Sequence, residues 1–99
     1  MKELPRKTKA QRQEELQEIF DETDYILNSI SADTSVPRNI RKITTQAISE
    51  LKSDSTTPAV NASNGISLLD DLSQDPNCPL HTRTQIYQIL SLLEQIRDF

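Results

Sequence analysis

Displaced against itself by 42 positions, the chain lays Leu27 on Leu69, Ser31 on Ser73, Asp33 on Asp75, Pro37 on Pro79, Arg41 on Arg83, Gln46 on Gln88, Ser49 on Ser91 and Leu51 on Leu93. Ile26 with Leu68, Ile30 with Leu72 and Ile48 with Leu90 are near matches. A fixed period of this size means one supersecondary unit used twice, and it constrains the fold before any local propensity does. The coinciding residues are those that a helix–turn–helix unit needs. They are an apolar stripe, an acidic turn residue, a proline that opens a helix and an arginine one turn inside it.

Four helices account for the pattern. From Arg12 onward, Leu16, Ile19, Phe20, Thr23, Ile26, Leu27 and Ile30 follow the i, i+3, i+4, i+7 rule, predicting a first helix that stops near Ala32. Asp33, Thr34 and Ser35 favour a turn, and Pro37 opens the second helix, with Ile40, Ile43, Ala47, Ile48 and Leu51 as its stripe and an end near Lys52 or Ser53. Pro58 opens the third by the same logic, with Ser63 or Asn64 as the competing cap. The Pro58 start puts Val60, Ala62, Ile66, Leu69 and Leu72 on one broad face. Gly65 then falls inside a helix, where it costs about 1 kcal/mol against Ala, and a close helix crossing would explain it. Pro79 opens the fourth helix, whose stripe is Ile86, Ile89, Leu90, Leu93 and Ile96.

Composition agrees. A chain of 99 residues has one core, and a single glycine argues against the many hairpin turns of an all-β protein. The expected fold class is therefore all-α: four helices as two repeated helical hairpins, in a HEAT-like or bundle-like array. Residues 13–99 make one domain with units at about 13–53 and 57–97, preceded by a mobile basic tail over residues 1–12. In that tail Lys2, Arg6, Lys7, Lys9 and Arg12 face only Glu3, whereas the rest of the chain is acidic. No apolar run approaches the roughly 18 residues that span a bilayer, and Met1 to Gln11 lacks the apolar stretch of a signal peptide, so a cytoplasmic protein is expected.

The D-x-x-x-P-x-x-x-R arrangement resembles HEAT-type helical repeats, although the turn is longer than theirs. Two units are fewer than the roughly three that repeat arrays need. Either the helices close into a bundle or an apolar edge awaits another subunit, and the expectation is a homo-oligomer.

No residue set calls for catalysis, a cofactor or a metal. Asp33, Pro37 and Arg41, like Asp75, Pro79 and Arg83, read as turn hardware. A basic residue near a helix N-terminus opposes the dipole, so each arginine is expected to ion-pair with its aspartate. Arg38, Arg41 and Lys42 share one basic face that could meet phosphate or an acidic partner, but no stacking residues accompany it. The tail could hold nucleic acid electrostatically, against repulsion from the acidic body. Glu14, Glu15, Glu18, Asp21 and Glu22 lack the Glu-x-x-His partners of a di-metal bundle and read as a solvated face. His81 reads as a packing or capping residue, and Cys78 as a small buried apolar one. One Cys and one His offer neither an internal disulfide nor a zinc site.

SADTSVPRNIRK (Ser31 to Lys42) and DPNCPLHTRT (Asp75 to Thr84) resemble the two most characteristic stretches of a small archaeal family, uncharacterised protein family 0147. The resemblance runs from about Leu16 to Glu94 and leaves the basic tail outside. It implies an all-helical fold and brings no activity, catalytic residue or cofactor. The functional expectation is a non-enzymatic protein-interaction or self-associating helical module, with no small-molecule substrate and no membrane. The alternative is a nucleic-acid or ribonucleoprotein accessory protein using the tail and the Arg38, Arg41 and Lys42 face.

Overall fold

The computed structural model describes residues 8–97. They form four helices: α1 (Lys9–Ser31), α2 (Arg38–Leu51), α3 (Pro58–Ser73) and α4 (Leu80–Arg97). No described residue lies in a strand.

α1 starts at Lys9, earlier than the apolar period suggested. The Thr8 hydroxyl accepts the Gln11 N–H at 3.1 Å, and the Gln11 side-chain carbonyl accepts the Thr8 N–H at 2.8 Å. This reciprocal capping box satisfies two donors at the helix start, which is why four residues with no apolar stripe become helical. Residues 9–12 therefore belong to α1 and not to a mobile tail. Residues 1–7, the rest of the expected tail, lie outside the described residues.

The prolines act in two ways. Pro37 is the N-cap of α2, with φ −53° and ψ 146°, and its carbonyl accepts the N–H groups of Ile40 and Arg41 at 3.1 Å. Pro58 is the first residue of α3, where its missing N–H needs no acceptor, and Thr57 before it caps the Val60 N–H at 3.3 Å. α3 thus takes the earlier of its two possible starts. Pro79 precedes α4 and accepts the Arg83 N–H at 2.9 Å through its carbonyl.

Each helix packs closely against its chain neighbours, and α4 returns against α1, whereas the backbones of the diagonal pairs α1/α3 and α2/α4 stay further apart among the described residues. The helices therefore close into a ring around one core, where an open array would stack α1 on α3. Leu27 and Ile30 of α1, Ile40, Ala47 and Leu51 of α2, Ala62, Leu69 and Leu72 of α3, and Ile86, Ile89, Leu93 and Ile96 of α4 form one buried cluster. Val36 and Cys78, from the two loops that lead into α2 and α4, plug the same end of it. Burying each large aliphatic side chain contributes about 1.5–3 kcal/mol, so this cluster is the main source of stability. Val60, expected on the buried face of α3, is 44% exposed in its first turn.

Gly65 marks a close approach of α3 to α2 and α4. A Cβ there would sit 3.0 Å from Leu51 Cδ2 and 3.4 Å from Leu93 Cδ1, so α3 comes close to α2 and α4 only because the side chain is absent. Asn61, buried one turn earlier, donates from Nδ2 to the Ser53 carbonyl at 2.8 Å and accepts the Thr56 hydroxyl, holding the α2–α3 connection against α3.

Candidate interaction surface

The two loops with Asp, Pro and Arg at matching positions fold alike. The N–H groups of Asp33 and Asp75 donate to Ile30 and Leu72, and those of Val36 and Cys78 donate back to the Asp33 and Asp75 carbonyls, all at 3.0–3.2 Å. Each aspartate also accepts, through Oδ1, the N–H two residues on: Ser35 at 2.9 Å and Asn77 at 2.8 Å. This Asx turn is what an Asp in that position offers the backbone. Ser31 and Ser73 both return their hydroxyls to carbonyls three residues back.

The arginines do not pair with these aspartates. Arg41 Nε donates to the Val36 carbonyl at 3.1 Å, and Arg83 Nη2 donates to the carbonyls of Asp75 at 3.3 Å and Cys78 at 3.4 Å. The carboxylates are already turned inward to the backbone of their own loops. In each loop one guanidinium nitrogen, Nε of Arg41 and Nη2 of Arg83, gives backbone carbonyls a charged donor. The expected ion pairs are thus replaced by charged donors stapling the loop backbone.

Asp33 has another long-range partner. His81, in the first turn of α4, places Nε2 3.1 Å from Asp33 Oδ2, linking the first loop to the second hairpin. The Ser35 hydroxyl donates to Asp33 Oδ1 at 2.6 Å. The Ser35 hydroxyl first, then its N–H and His81, hold the Asp33 carboxyl below its ordinary value of 3.8. The residue 42 positions before His81 is Asn39, so this tie belongs to one side of the ring only. The His81 side chain is 55% exposed and that of Asp33 31%, so the pair is open to water.

Charge is segregated on the outside. α1 carries six carboxylates against two basic residues, and α2 with its cap Lys52 carries four basic residues against one carboxylate. Arg38, Arg41 and Lys42 line an open depression with Ser31, Asn39 and Thr45 near the start of α2. At the other end of the same helix pair a second depression is lined by Gln17, Phe20, Asp21, Asp24, Leu51 and Lys52. Lys52 Nζ lies 3.3 Å from Asp24 Oδ1 across its mouth. Arg38 and Lys42 have no ion-pair partner among the described residues.

Elsewhere the outer surface is mostly polar. Tyr25 on α1 is 77% exposed, and Leu80 and Tyr87, two turns apart on one stripe of α4, are 77% and 54% exposed. Cys78 is buried, and loss of hydration pushes its thiol above the ordinary value, the reverse of an activated nucleophile. Among the described residues no group of three or more His, Cys, Asp or Glu side chains could hold a metal ion, and no helix is long and apolar enough to cross a membrane.

Sequence reasoning missed several partners. Thr44 returns its hydroxyl to the Ile40 and Arg41 carbonyls at 2.9 and 2.8 Å, so it sits buried without penalty. The position of Val36 and Cys78, one residue before each proline, was a readable signal: both repeats hold an apolar side chain inside an otherwise polar loop. The His81–Asp33 contact had no local signal, because 48 residues separate the two.

A UPF0147 protein from Desulfurococcus amylolyticus is 49% identical over 74 residues, covering 75% of this chain and 81% of its own length. One from Sulfurisphaera tokodaii is 51% identical over 73 residues, covering 74% and 82%. The crystal structure of a protein from the same uncharacterised family from Thermoplasma acidophilum superposes with a TM-score of 0.80 at 34% identity, over 84% of this chain and 98% of that one. The match to the family's sequence profile runs over residues 6–96, further at both ends than the motifs alone indicated. The chain belongs to the Uncharacterised protein family (UPF0147).

Proposed function

We propose that this protein is a non-enzymatic helical module, two copies of one hairpin closed into a ring, that works by binding protein, including other copies of itself. The observation that carries this reading is the outer stripe of α4, where Leu80 and Tyr87 stay exposed although the core is complete without them. A large aliphatic and an aromatic side chain held in water on a rigid helix are the anchors that protein interfaces use. The matching α2 positions are Arg38 and Thr45, so the apolar stripe is a property of one repeat and not of the hairpin design.

Light scattering at micromolar concentration and cross-linking capture from a cell extract test the reading. A mass above the monomer, or a captured partner lost in a Leu80→Lys, Tyr87→Lys variant, is the expected result. A monomer that captures nothing overturns it.

A second reading, a nucleic-acid accessory protein, is favoured by the Arg38, Arg41 and Lys42 depression. It requires RNA or DNA binding that weakens steeply with salt and with removal of Met1 to Arg12. Binding indifferent to both removes it.

A further inference from the structure

We propose that the α1/α2 face is the contact between two copies of this chain. A two-fold axis would seat the Arg38 and Lys42 end of one copy on the Glu18 and Asp21 end of the other, and the reverse. The inference rests on the self-associating half of the reading above and gives that half a surface of its own, apart from the Leu80 and Tyr87 stripe of α4.

The face is built to complement itself. Glu14, Glu18, Asp21 and Tyr25 follow each other at helical spacing on the outside of α1 and are all exposed. Arg38, Lys42 and Thr45 do the same on α2. Two adjacent helices of opposite charge, each with its charge concentrated at a different end, are brought into register by a two-fold rotation, and an isologous interface needs only that.

Within the chain these charges are poorly placed. Glu14 with Glu18, and Arg38 with Lys42, are like charges four residues apart, an arrangement that destabilises a helix. Arg38, Arg41 and Lys42 crowd the first turns of α2, where the helix dipole already disfavours positive charge, and no acidic residue stands in that first turn. Carboxylates arriving from outside would meet both the cations and the positive end of the helix. A second copy brings three carboxylates on a rigid stripe, together with the exposed Tyr25 ring. A nucleic-acid duplex fits less well, because one long enough to cover the whole face would run from the basic depression onto the acidic stripe of α1, which repels phosphate.

The test is the mass of the full chain by light scattering, at low salt and at high salt, with helix content checked by circular dichroism. The expected mass at low salt is about twice the 11.3 kDa monomer, falling toward the monomer as salt screens the contact. Charge reversal on either half, Arg38→Glu with Lys42→Glu or Glu18→Lys with Asp21→Lys, should weaken the dimer at least about tenfold. An equimolar mixture of the two reversed chains should pair again, since every contact is then opposite in sign. Should a reversed chain lose its helix content, Arg38→Ser with Lys42→Ser and the salt series on the unmodified chain carry the test.

A monomer at low salt overturns the proposal. So does a dimer indifferent to salt and to both reversals, which would leave self-association standing on another face. A monomer that binds RNA through Arg38 and Lys42 overturns it too, and assigns the depression to nucleic acid.

Discussion

His81 Nε2 stands 3.1 Å from Asp33 Oδ2, so the loop that ends the first hairpin's leading helix is held by the first turn of α4. The contact closes the ring at the end where Val36 and Cys78 plug the core, and it is made at the surface, where water and salt compete for it.

Its pH dependence has a defined sign. The Asp33 carboxyl is held below 3.8 by the Ser35 hydroxyl and N–H and by His81, so the folded state takes up its proton at lower pH than the unfolded state. The unfolded chain binds more protons in that window. The stabilisation is complete above about 3.8 and is lost as pH falls through the folded value. Urea titrations between pH 5 and pH 2.5 should show this, with Asp33→Asn losing less stability on acidification than the parent. Equal losses in the two proteins would show that other carboxylates carry the acid response.

The hydroxyl of Thr82 is buried with no hydrogen-bond partner, and so is that of Thr23. The residue 42 positions before Thr82 is Ile40, which fills the corresponding place without a polar atom. Removing an unpaired buried hydroxyl while keeping the shape recovers its desolvation cost, so Thr82→Val should stabilise by about 1 kcal/mol. Thr44→Val is the control: its hydroxyl is bonded to two carbonyls, and the substitution should be neutral or mildly destabilising. Denaturant midpoints at constant slope would decide.

Gly65 is where close packing, not backbone conformation, demands glycine, since no glycine has positive φ. An alanine would gain helix propensity while pressing on the flexible end of Leu51, two effects of opposite sign. A valine adds two methyls beyond a Cβ that already meets Leu51 at 3.0 Å and Leu93 at 3.4 Å. Gly65→Val should destabilise by about 1–3 kcal/mol. Unchanged thermal melting would mean that α3 can move away from α2 without cost.

These sites show why the fold was more legible than its surface. The apolar periods, the prolines and the 42-residue displacement are local or self-referential signals, and they place four helices and both loops. The Thr8 and Gln11 capping box was equally local, but it lay under a basic segment with no apolar stripe. Ring closure was left open, because the stripes of α1 and α4 look the same whether they meet each other or a partner. Asp33 and His81 meet only after that closure. The paired aspartates and arginines were read as turn residues, yet their partners were not, because a backbone carbonyl open to a charged side-chain donor has no sequence signature.

Arg83 and Asp75 give the sharpest test of that last point. If charge attraction between the two side chains held the second loop, Asp75→Asn and Arg83→Met would cost similar amounts. The structure instead gives the Asp75 side chain to the Asn77 N–H, which an asparagine oxygen accepts equally, and the Arg83 guanidinium to the carbonyls of Asp75 and Cys78. Asp75→Asn should therefore change stability by less than about 0.5 kcal/mol. Arg83→Met should cost about 1–2 kcal/mol, because two loop carbonyls lose their charged donor. Arg83→Lys should recover much of this, since both bonds come from the one nitrogen Nη2 and an ammonium also offers several donors from one nitrogen. Arg41, with its Nε on the Val36 carbonyl, should rank its own substitutions in the same order. Equal costs for Asp75→Asn and Arg83→Met would restore the ion pair and refute the backbone staple.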